Sequence, residues 1–212
     1  MTESEWLTST DPTPMLEFLR GKASDRKLRL FAVACCRRLF HLIDDVDAHL
    51  VVEVAERYAD GQATETERAA AEVHVDAAET AIDAALFSSI SLEGRPAFGA
   101  TWGVRAAVAA AEQGIEWGEA EDAPESETLA HVHLLRCIFN PFAPPFDPRW
   151  QTPTVLSLAQ GIYTDRAFDR LPILADALEE ASCDNPDLLN HCRSETVHTR
   201  GCWALDLLLG RN

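Results

Sequence analysis

Residues 28–43, LRLFAVACCRRLFHLI, decide the fold class. Leu28, Phe31, Cys35, Leu39 and Leu42 recur at helical spacing, and Leu30, Val33 and Phe40 widen that apolar stripe until little of the surface is polar. A segment of this kind reads as a central helix, spanning 25–43, that is covered on nearly all sides. Outward from it, helix signals continue to both ends of the chain. Thr13-Pro14, Thr152-Pro153 and Asn185-Pro186 each pair a capping side chain with a proline whose missing N–H costs nothing in a first turn. Thr64 with Glu67 has the spacing of a capping box, and Gly21, Gly61 and Gly210 stand where helices are expected to stop. The helices predicted between these marks cover 14–20, 25–43, 45–60, 65–90, 102–117, 127–139, 153–163, 171–181, 186–192 and 199–209. No convincing strand interrupts them. The expected fold is all-α, a globular multi-helix bundle of antiparallel helical hairpins forming a single domain over 1–212.

Two stretches break the pattern. Residues 119–127 are acidic and contain Pro124, which reads as an exposed loop or hinge. Residues 140–150 carry prolines at 141, 144, 145 and 148 and read as a rigid extended strap. No internal repeat of fixed period marks a solenoid.

Charge excludes several functions. Among 212 residues, 18 Lys+Arg stand against 35 Asp+Glu, a formal net charge of −17 that repels phosphate backbones and anionic membranes. Neither nucleic acid nor a membrane is an expected partner, and a basic protein surface is the natural complement of this field. No uncharged apolar run approaches the ~20 residues of a membrane span. The first residues carry Glu3 and Glu5 and lack the basic start and apolar core of a secretory signal, so a cytoplasmic location is expected. Six cysteines in such a chain read as reduced thiols or metal ligands.

Long strings of the sequence resemble a known family. LRGKASDRKLRLFAVACCRR from Leu19, TPTVLSLAQGIY from Thr152, RAFDRLPILADALEEASC from Arg166, HCR from His191 and RGCWALDLLLG from Arg200 are similar to an uncharacterised protein family abundant in planctomycete bacteria. The likeness covers both ends of the chain and is weaker over about 65–127. It implies a bacterial, cytoplasmic protein and assigns no chemistry.

The richest cluster of chemical groups is C-terminal, where Cys183, His191, Cys192, His198 and Cys202 fall within twenty residues. Thiolates and neutral imidazoles are the preferred ligands of tetrahedral zinc, and the set chosen here is Cys183, Cys192, His198 and Cys202. The spacings lack the paired CxxC of zinc ribbons and fingers. The competing reading makes the two outer cysteines small buried apolar residues and leaves the histidines at helix ends or in solvent. A second geometry uses two i, i+4 pairs on facing helices, His133 with Cys137 and His198 with Cys202, and needs a helix already formed at His198 with Gly201 in its first turn.

Other motifs carry less. Cys35 and Cys36 point about 100° apart on a helix and read as packing residues. Arg193 and His198 form the Arg-x4-His string of HEPN ribonucleases, opposed by the acidic charge. GxSxG, HExxH and Gly-rich phosphate loops are absent. Glu72, Asp76, Glu79 and Asp83 with His74 lack the Glu-x-x-His spacing of dimetal bundles and read as a solvated acidic face. His41 and His49 are isolated. Phe142, Phe146 and Trp150 on the strap are either anchors for a partner or, the favoured reading, a seal over the domain's own core. The function expected is a non-enzymatic protein-interaction or accessory module, with a metal- or cysteine-dependent hydrolase at 183–202 as the alternative. An open coordination position or an activated cysteine would distinguish the two.

Overall fold

The computed structural model describes residues 1–38, 40–42, 46–73, 125–143 and 145–211. The chain is all-α, with ten α-helices and no strand among the described residues. In chain order these are α1 (Glu3–Thr8), α2 (Pro12–Leu19), α3 (Asp25–Arg37), α4 (Val46–Ala59), α5 (Glu65–Val73), α6 (Glu125–Ile138), α7 (Pro153–Asp165), α8 (Leu171–Glu180), α9 (Pro186–Arg193) and α10 (Trp203–Leu209). The predicted helix at 102–117, the continuation of 65–90 beyond Val73, most of the acidic stretch and His74 lie outside the described residues. None of the described helices is long and apolar enough to cross a membrane.

Two compact units divide the chain, Met1–Leu135 and Arg136–Asn212, with the boundary inside α6. In the first, α3 is the central helix its sequence predicts. Seven consecutive residues from Leu30 to Cys36 are buried, and Arg29 is buried too, with its guanidinium over the Tyr58 ring at 5.0 Å. α3 packs against α4, and Arg26 reaches across to Asp60 at 2.9 Å. The helix is shorter than expected. It ends at Arg37, the N–H of Arg38 turns back to the carbonyls of Cys35 and Cys36, and Phe40–Leu42 form a separate 3-10 turn. Phe40 there stacks on His49 at 4.1 Å. Cys35 and Cys36 are packing residues, as expected, and burial pushes the Cys35 thiol well up.

Polar contacts anchor the N-terminal part of α6 in this unit. Both oxygens of Glu127 accept bonds from Arg38, at 2.7 and 2.8 Å, and Oε1 also lies 3.2 Å from Nε2 of the fully buried His131. Burial would raise the Glu127 carboxyl, but His131 and the Arg38 guanidinium outweigh it and hold it at about 2.

The second unit is built by α7–α10. Val155, Ala159, Ile162 and Tyr163 on α7 and Leu171, Leu174, Ala175 and Leu178 on α8 recur at helical spacing and face a shared core with Leu188, Leu205 and Leu208. Caps set the register as the sequence predicts. Thr152 accepts from the Val155 N–H at 3.3 Å, and Asn185 accepts from the N–H groups of Asp187 and Leu188 at 3.0 and 3.1 Å. The strap is not extended throughout: the Ala143 N–H closes a turn on the Asn140 carbonyl, and Pro148–Trp150 form a 3-10 turn capped by Asp147. Trp150, 5% exposed, sits in the core of this unit, and Phe146 packs edge-on against it at 5.7 Å. Phe142 is half-buried. Two of the three candidate anchors thus seal their own core, the favoured reading of the strap.

Candidate functional site

Four elements of the second unit converge on one cluster. The last turn of α6 supplies Cys137, α9 supplies His191, the segment after α9 supplies His198, and the residue preceding α10 is Cys202. One donor atom from each lies within 4.8 Å of every other. Cys137 Sγ is 3.8 Å from His198 Nδ1, and His191 Nε2 is 3.2 Å from Cys202 Sγ. The two imidazole rings stand nearly perpendicular, 4.9 Å apart, and Trp203 borders His191 at 5.0 Å. Both cysteines are buried, Cys137 at 2% and Cys202 at 0% exposure, while the histidines are half-buried.

Local backbone explains the convergence. Residues 194–202 are not helical. Gly201, at φ +83°, takes a left-handed conformation that disfavours residues with a Cβ, and the Cys202 N–H closes the turn on the Thr199 carbonyl at 3.1 Å. That turn, and not a helical i, i+4 register, brings Cys202 back beside His198, so α10 begins at Trp203 instead of Thr199. Ser194, at the end of α9, bonds the His191 carbonyl through its hydroxyl at 2.8 Å, and its own carbonyl lies 3.3 Å from His198 Nε2.

Of the four ligands chosen from sequence, His198 and Cys202 lie in this cluster, whereas Cys183 and Cys192 do not. All four cysteines of this unit belong to one hydrophobic core, but Cys183 and Cys192 are not among the four residues whose donor atoms gather there. Cys192 follows His191 on the same helix, so its side chain leaves the axis about 100° away, toward Leu188 and the core. Burial pushes the Cys192 thiol far up and the Cys183 thiol up, as for inert packing sulfurs. Cys137 and His191 occupy the other two places. The facing-helix alternative had named Cys137, but its partner His133 is exposed on α6. Cys202 differs from the packing cysteines. Burial opposes its charge, but a hydrogen bond from Cys137 and the two imidazoles outweigh that and hold its thiol well below the ordinary range; burial would lower the half-buried His198, but Cys202 and the Ser194 carbonyl outweigh it and raise it.

The cluster supports either of two chemistries, a metal held by two sulfurs and two imidazoles, or a thiolate beside an imidazole. The Arg-x4-His pair is split between other tasks: Arg193 bonds Asp176 and Glu179 at 2.8 and 2.7 Å, and His198 faces the cysteines. A separate open groove of about 620 Å3 runs between the strap and the start of α9, where Asp147, Asp184 and Asp187 meet Phe146, Arg149 and Trp150. No protein-family model, curated protein or solved structure matches this chain.

Proposed function

We propose that this protein is a non-enzymatic interaction or accessory module of a bacterial cytoplasm whose partner is a basic protein. The observation that carries the reading is the burial of Cys202, the cysteine whose sulfur lies 3.2 Å from an imidazole nitrogen, at 0% exposure. A catalytic thiolate must present its sulfur to a substrate, and Cys202 exposes none of its surface to solvent. The hydrolytic alternative draws on the imidazole of His191, 3.2 Å from that sulfur, which is the arrangement of a nucleophile and its base. Geometry favours it and access opposes it.

The partner's character follows from charge. The net charge of −17 favours cationic surfaces, and the groove beside Phe146 presents Asp184 and Asp187 exposed. The test is alkylation of the native protein with iodoacetamide, mapped by peptide mass spectrometry. Cys202 should stay unmodified until the chain is unfolded, and stoichiometric alkylation of Cys202 in the native state would overturn the reading. Binding of a lysine-rich peptide should weaken with salt and with Asp184→Asn plus Asp187→Asn, and binding that ignores both would remove the basic-partner assignment.

A further inference from the structure

We propose that Cys137, His191, His198 and Cys202 form a closed tetrahedral zinc site that ties the last turn of α6 to α9 and to the start of α10. The proposal rests on the reading of this cluster as structural instead of catalytic.

Donor spacing is the first support. With Zn–S near 2.3 Å and Zn–N near 2.0 Å, neighbouring donors in a tetrahedron lie about 3.3–3.8 Å apart. Two sulfur–nitrogen pairs, at 3.8 and 3.2 Å, are already close to that spacing, and no pair among the four exceeds 4.8 Å. Closing the remainder takes a movement of about 1 Å, within the reach of small side-chain torsions. A two-iron cluster also uses two cysteines and two histidines, but places each pair on its own metal, so four donors gathered this tightly fit a single ion.

Orientation is the second support. Ser194 meets His198 Nε2 with two oxygens at 3.3 Å, its carbonyl, which only accepts, and its hydroxyl, whose hydrogen goes to the His191 carbonyl; the tautomer that suits both has the hydrogen on Nε2 and leaves the Nδ1 lone pair toward Cys137. Metal-binding histidines are held in this way, by an outer hydrogen bond that fixes which nitrogen is free. Ser194 therefore acts as a positioning residue for His198, while its hydroxyl bonds the carbonyl of His191.

Charge is the third. Two thiolates and two neutral imidazoles neutralise one divalent cation, so the filled site carries no net charge into the buried surroundings of Cys137 and Cys202. Binding Zn2+ forms two Zn–S and two Zn–N bonds and displaces whatever protons the two sulfurs and the two ligating nitrogens carry. The donor set of two sulfurs and two nitrogens suits zinc among the common divalent ions.

The experiment uses the full chain. Zinc is measured by elemental analysis after purification without chelator, and the metal-free protein is titrated with Co2+ and read by visible absorption. One zinc per chain and the intense d–d bands of tetrahedral cobalt with thiolate charge transfer are expected. Cys137→Ser should weaken cobalt binding at least 100-fold, whereas Cys183→Ala, which removes a residue of the sequence-derived set, should leave it unchanged. A wild-type protein that retains no zinc and develops no cobalt bands overturns the zinc site and leaves the accessory reading intact. Tetrahedral bands that shift when azide is added would keep the metal but overturn both the closed four-residue site and the accessory reading, because an exogenous ligand would have found an open coordination position.

Discussion

Replacing Glu127 by Gln keeps the side chain's size and removes its charge, which leaves Arg38 and His131 facing a neutral amide. Glu127 is 7% and Arg38 34% exposed, and the two share bonds at 2.7 and 2.8 Å. Removing one partner of a fully buried pair costs about 3–5 kcal/mol. Arg38 can recover water on its open side, which lowers the expected loss to about 2–3 kcal/mol. A double-mutant cycle with Arg38→Ala should return a coupling of about 1–2 kcal/mol. The pH dependence has a definite sign. A carboxyl held at about 2, below its unfolded value, adds stability that is fully present above the ordinary carboxylate range and lost as pH falls toward 2. Urea titrations followed by helical circular dichroism between pH 7 and 3 should show the wild type losing its advantage over Glu127→Gln below about pH 4.5, by about 1–2 kcal/mol after solvent screening. A coupling under about 0.5 kcal/mol, or a difference between the two proteins that ignores pH, would refute the assignment of this pair as the anchor of α6.

Asn185→Ala removes both acceptor bonds at the start of α9 and should cost about 1 kcal/mol in urea unfolding. Gly201→Ala forces a side chain into φ +83° and should cost about 1 kcal/mol while weakening cobalt affinity, because that turn returns Cys202 to His198. Cys192→Ala should cost about 1–2 kcal/mol and leave cobalt binding unchanged, since Cys192 is buried but stands outside the four-residue donor group. Generic DNA and RNA should show no micromolar binding at physiological salt, and retention on a nucleic-acid column would reveal a local basic surface.

Much of the helical frame is legible as hydrogen-bond chemistry. Thr64, Thr152 and Asn185 cap where their side chains and the following residues predict, and Gly21, Gly61 and Gly210 all adopt left-handed backbone. Errors arise where two candidates compete locally. Asp11 caps α2 two residues before Thr13, with Pro12 in the first turn. α1 was not anticipated, although Thr2 and Glu5 form a reciprocal capping box whose T-x-x-E spacing is readable. The site was half legible. His198 and Cys202 share one turn, so sequence proximity finds them. Cys137 comes from a helix far earlier in the chain, and proximity favoured Cys183 and Cys192 in its place. Helical phase was the missed signal: once 186–192 is read as a helix, His191 and Cys192 face different directions, and only one can serve the cluster.

Zinc K-edge X-ray absorption of the native protein tests the four-residue site most directly, because it reports donor type and distance without any substitution. Two sulfurs near 2.3 Å and two nitrogens near 2.0 Å are expected around one zinc per chain. A protein that carries no zinc, or a zinc whose first shell is mainly oxygen, would contradict it.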